Sequence, residues 1–261
     1  MRAAPVHPPY TAAAQHWRRI AAKGSESMTH QPKDSLMIAR VMLALIASLM
    51  GSLAWAQETI VIPQGCTPLA TVHQTACNVT TLLTCGDDQR QALSYKKGNL
   101  DQVHLFDANW GLQGFLYQAN AETRFDLKPG FGETFVLADL IKDGADSEDG
   151  IMLFSTRVVK NREFLLRGSY DLTGETVDLD GHVFRKGTLS REMGREGIAS
   201  SWLGFEFDIL VSEELDLFIE GSVVNKAEGR DDFEISQEPQ SIRFEGDAGF
   251  LASMSEFGCD G

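Results

Sequence analysis

Positive charge is scarce in this chain of 261 residues: 23 Lys and Arg stand against 37 Asp and Glu, a net charge of −14 with a pI near 4.8. A phosphate backbone would be repelled by such a surface rather than steered in, which excludes a nucleic-acid partner. Long apolar runs are also lacking. The most apolar stretch, residues 41–56, has 16 positions and is interrupted by Gly51 and Ser52. A helix needs roughly 20 residues to cross a bilayer. The sequence has no nucleotide-binding glycine loop, no Gly-x-Ser-x-Gly elbow and no His-Glu-x-x-His. No Cys-x-x-Cys occurs, so neither a thioredoxin-type redox pair nor a zinc knuckle is expected. No pattern demands a cofactor.

The apolar stretch is instead a leader. Arg40 supplies the positive flank, residues 41–50 the apolar segment, and Ala54-Trp55-Ala56 a small-x-small cleavage site. Cutting is expected between Ala56 and Gln57. Residues 1–36 read as a basic extension upstream of it, residues 37–56 as the signal peptide, and 57–261 as a single domain. Met28 and Met37 both stand where such a leader begins. Removing residues 1–56 leaves 17 basic against 35 acidic residues, a net charge of −18. The expected location is periplasmic or secreted, with no transmembrane segment in the mature chain.

Four cysteines, Cys66, Cys77, Cys85 and Cys259, lie beyond the leader, and an even count in a secreted chain predicts two disulfides. In each of the three pairings Cys259 bonds one of the N-terminal trio, which closes a loop of at least 174 residues. The other bond is local. A Cys77–Cys85 bond requires a hairpin, because one continuous strand would hold them about 27 Å apart.

From residue 100 onward the chain alternates. Phe164, Leu166, Tyr170 and Leu172 fall on one face of a strand at 162–172; Leu203, Phe205, Phe207 and Ile209 do so at 201–210. Further strands are expected at 103–106, 113–118, 133–140, 151–159, 176–178, 182–189, 215–224, 233–236, 241–244 and 250–253. Helical turns are expected at 89–93 and 211–215. Gly and Asp punctuate this pattern about every ten residues, which predicts an all-β fold: a disulfide-bonded antiparallel meander closing as a β-sandwich or a barrel-like domain. A membrane barrel alternates too, but only eight Tyr and Trp are present in total, too few for two aromatic girdles.

Chemistry is thinly signalled. Asp180-Gly181-His182 places a carboxylate two residues from an imidazole, as general-base work needs. The same residues equally make a hairpin turn, with Asp-Gly supplying positive φ. Asp143, Asp146, Glu148 and Asp149 form an oxygen-rich stretch that a cation such as calcium favours. The EF-hand register fails there, and a solvated hairpin tip is the plainer expectation. Trp110 and Trp202 stand beside glycines, where exposed rings would stack a ligand and buried rings would fill a core. Ser94-Tyr-Lys-Lys97 matches Ser-x-x-Lys, although that enzyme class needs a large helical domain. Asn78-Val-Thr80 is a sequon by pattern alone.

The function expected is a non-catalytic binding or envelope-associated protein that holds an unknown small ligand or an envelope protein. The alternatives are a small periplasmic hydrolase using Asp180 and His182, or a structural interaction protein docking through an acidic face.

Overall fold

A computed structural model describes residues 59–117 and 123–259; the expected leader and its cleavage site lie outside the described residues. The strands are β1 Cys66–Gln74, β2 Asn78–Cys85, β3 Gln89–Lys96, β4 Asn99–Asp107, β5 Leu112–Tyr117, β6 Thr123–Leu127, β7 Ala145–Ser155, β8 Arg162–Leu179, β9 His182–Arg195, β10 Ile198–Ser212, β11 Leu217–Ala227, β12 Phe233–Ile235 and β13 Pro239–Arg243. One helix, α1 Leu137–Asp143, lies between β6 and β7. Each strand from β1 to β11 pairs antiparallel with its successor, and β13 returns to pair with β1. The expected meander therefore forms as one thirteen-stranded sheet curled into a half-barrel, not as a two-sheet sandwich.

β12 and β13 occupy opposite ends of the strand order yet are separated by three residues. A link of that length spans at most about 14 Å, so the sheet curls until its edges approach. Side chains bridge the seam. Gln74 Nε2 donates to the Glu220 carbonyl at 3.2 Å, and Gln237 Nε2 donates to the Gly221 carbonyl at 2.7 Å.

The curl follows from alternation. Along β8 and β9, Leu166, Tyr170, Phe184, Leu189 and Met193 are buried inside, while Arg167, Asp171, Ser190 and Glu192 are exposed outside. One end of the interior is plugged by Phe135, whose ring stacks on Tyr170 at 3.9 Å, and by Leu137 and Leu140 of α1. A second, smaller core lies on the other face of the N-terminal strands, where Leu83, Leu93, Tyr95 and Val103 pack with Ile60, ahead of β1, and Leu251, beyond β13.

Two disulfides form. Cys66–Cys85 joins paired residues of β1 and β2, and Cys77–Cys259 ties the β1–β2 turn to the C-terminal segment over a separation of 182 residues. β2 runs straight through residues 78–85, which excludes the Cys77–Cys85 alternative.

Five local expectations are corrected. Residues 133–140 are a loop followed by the start of α1, because Leu137, Leu140 and Ile141 recur at helical rather than strand spacing. Residues 89–93 begin β3 instead of a helical turn, and residues 211–215 end β10 and enter a tight turn. Residues 250–253 form a turn with a single bridge, Thr59 to Ala252. The acidic stretch 143–150 is no hairpin tip; it ends α1 and opens β7, paired with β8 from Ala145 onward.

Candidate functional site

Residues Asp180 and Gly181 have φ of 53° and 89° and form the two-residue turn between β8 and β9. The Asp178 carboxylate accepts from the Gly181 N–H at 2.8 Å. The Asp180 carboxylate accepts from the Ile242 N–H and from Arg243, each at 2.8 Å. It latches the hairpin tip to β13. The His182 ring stands edge-on to Phe244, 5.0 Å between centroids. Asp180 and His182 share an open hollow of about 500 Å³ with Arg243, Asp247 and Glu256. The bonds that hold the Asp180 carboxylate run to β13 and not to the imidazole.

The acidic stretch is dispersed by the strand that carries it. Asp143 pairs with Lys142 at 3.1 Å, Asp146 accepts from the Val136 N–H at 2.8 Å, and Asp149 accepts from the Glu133 N–H at 3.0 Å. Glu148 points into the lumen. Among the described residues no three of these ligand types converge on one point. Trp110 is 1% exposed, held by its Nε1–H on the Asp216 carbonyl at 3.0 Å and packed on Phe106 and Phe218. It fills the core. Trp202 lies over Gly194, where a Cβ would come within 2.2 Å of the indole, and the Arg167 guanidinium stands 5.5 Å from the ring. Asn78 of the sequon is buried, its amide bonded to the Thr75 and Ser236 carbonyls. Ser94 bonds Thr80 across the β2–β3 ladder.

The strongest concentration of ionisable groups lies inside the half-barrel. Arg191 on β9 is 4% exposed. Its Nε donates to Glu148 at 2.7 Å, one Nη to the Tyr170 hydroxyl at 3.0 Å and the other to Glu220 at 3.3 Å. Glu220 on β11 faces His104 on β4, with 2.8 Å between Oε2 and Nδ1. The other ring nitrogen of His104 lies 3.2 Å from the Gln102 side chain. The network thus crosses the lumen from β4 to β7. Gly168 makes room for it, since a Cβ there would fall 2.7 Å from the Glu148 side chain.

Burial opposes charge on Glu220, Arg191 and Tyr170. For Glu220 burial pushes the pKa up, but the neighbouring His104 and Arg191 outweigh it and hold the carboxyl at about 2. For Arg191 burial favours the neutral form, and Glu148, Tyr170 and Glu220 reverse that, raising its pKa well above the ordinary value. Burial raises the Tyr170 hydroxyl well above its usual range, so it stays a neutral partner.

Above this network, toward the end of the sheet opposite α1, is a cavity of about 120 Å³. Phe115, Tyr117, Phe205 and Phe207 line it together with His104, Arg191 and Glu220; Lys96 and Asp101 also line it. Burial and the nearby Asp101 raise the Tyr117 hydroxyl, so it too stays protonated.

Of the network residues the sequence points to two, Glu148 as a cation ligand and Tyr170 as part of the apolar face of its strand, and it marks none of Arg191, Glu220 and His104. The signal was parity. Arg191 lies between Leu189 and Met193 in the inward phase of β9, and Glu220 lies two residues after Phe218. A charge on the apolar face of a strand must be paired inside. Comparison with protein-family models, with curated proteins and with solved structures gave no match for this chain.

Proposed function

We propose that the protein is a secreted or periplasmic binding protein that holds a small ligand in the lumen cavity of its half-barrel. The cavity itself carries this reading: a pre-formed space with aromatic walls and a few converging polar groups, the usual composition of a ligand site. At about 120 Å³ it is smaller than drug-sized pockets, and a cavity of roughly 150 Å³ accepts benzene. The ligand is therefore a molecule of about six non-hydrogen atoms, or one end of a longer one.

Two disulfides support an oxidising compartment. The exposed charges on the outer face of β8 to β10 invert the polarity of a membrane barrel, whose outer face is apolar. A hydrolase at the Asp180–His182 hollow has less support, since the Asp180 carboxylate is engaged by β13.

Native mass spectrometry of the protein purified from its own compartment tests the proposal. One small molecule per chain is expected, lost in Ser94→Phe, which fills the cavity from β3. An apo mass from every preparation, or an adduct that survives Ser94→Phe, overturns it.

A further inference from the structure

We propose that the lumen cavity selects small organic cations, ammonium compounds above all, with Glu220 as the counter-ion. This rests on the cavity being a ligand site, and it adds the charge of the ligand. The count of buried charge carries it. Arg191 is the permanent cation of the network, and it faces two carboxylates, Glu148 and Glu220. Two carboxylates thus share one permanent cation inside the barrel, and burying charge that is not fully compensated is costly. At the cavity, Lys96 and Asp101 carry opposite charges. His104 meets Glu220 from within the wall at 2.8 Å, and a cation in the cavity meets it from the other side.

An anionic ligand is disfavoured by the same geometry. The three nitrogens of Arg191 already meet Glu148, Glu220 and Tyr170, so a carboxylate head would have to displace an acid and sit beside another. The walls favour the cation as well. Phe115, Tyr117, Phe205 and Phe207 bound the cavity, and aromatic faces attract ammonium groups most when water is excluded. The net charge of −14 raises the local concentration of cations at the mouth.

Isothermal titration of the mature protein tests the idea with three probes of nearly equal shape. These are choline, its neutral carbon isostere 3,3-dimethylbutan-1-ol, and the anion 3,3-dimethylbutanoate. Choline is expected to bind at least about tenfold more tightly than the alcohol, with the anion weakest. Glu220→Gln should bring the choline-to-alcohol ratio close to one. Phe115→Leu, which leaves the charges in place, should lower that ratio severalfold by removing a cation–π face; circular dichroism checks that both variants fold. Equal binding of choline and alcohol, or a preference for the anion, overturns cation selectivity while the cavity reading stands. No binding by any of the three, together with an apo native mass, overturns both.

Discussion

Arg191 occupies a position where the alternation of β9 calls for a leucine, and three partners make it tolerable. Removing it does more than delete a bond. Arg191→Met leaves the buried Glu148 and Glu220 without their shared cation, and stranding buried charge typically costs about 3–5 kcal/mol. Urea denaturation should show a loss of that size, and a loss under about 1 kcal/mol would mean the network contributes no more than a surface pair. Glu220 sets a pH dependence of definite sign. Its folded pKa, about 2, lies below the ordinary 4.5, so the stabilisation is fully present above about 4.5 and is lost as pH falls from there toward 2. The span corresponds to something on the order of 3 kcal/mol. Denaturation midpoints measured across that window should fall in the parent and fall less steeply in Glu220→Gln. These residues were legible only in part, because alternation tells which face a charge takes but not which distant strand supplies its partner.

Among the elements, the C-terminal segment depends on two attachments that strand patterning does not reveal. His73 on β1 is buried, with Nε2 on the Gly249 carbonyl at 3.0 Å and Nδ1 accepting from the Glu256 N–H at 3.2 Å. That pair of bonds fixes one neutral tautomer. Burial lowers the pKa of the ring despite the Gly249 carbonyl and the Glu256 charge. Its contribution is therefore complete above the ordinary imidazole range and is lost as pH drops below about 6.5. Amide exchange, corrected for intrinsic rates, should show residues 249–257 less protected at pH 5 than at pH 7.5; His73→Gln should remove the difference. The second attachment is Cys77–Cys259. Its separation of 182 residues, against 19 for Cys66–Cys85, corresponds to about 5 against about 3 kcal/mol of loop entropy. The double variant Cys77→Ser/Cys259→Ser should thus destabilise more than Cys66→Ser/Cys85→Ser in guanidinium titration, and equal losses would refute the entropic account. Elements with one wet face, such as β8 and β9, could be read from the sequence. β2 could not. Val79, Thr81 and Leu83 are buried as fully as Leu82, so the two-residue period disappears.

For the whole molecule the meander and a barrel-like closure were legible, and the strands that meet in that closure were not. Hairpin after hairpin follows from local turn residues, whereas the pairing of β13 with β1 depends on how far the accumulated twist carries the sheet. The seam is where that closure is weakest. Over Glu220 and Gly221 two glutamines replace the ladder, donating to the carbonyls at 3.2 and 2.7 Å. An open strand edge is a template for pairing with another chain. Here β12 is three residues long and β13 begins with Pro239, both of which discourage such pairing. The glutamines complete the protection by occupying the acceptors of β11. Gln74→Ala/Gln237→Ala frees both carbonyls at once, each loss costing about 1–3 kcal/mol if the group stays buried and unsatisfied. If the seam opens instead, the edge of β11 becomes available to a second molecule. Light scattering coupled to size exclusion should then show concentration-dependent dimers in the double variant but not in the parent. A variant that remains monomeric at every concentration, with unchanged thermal stability, would show that the half-barrel closes without its glutamines.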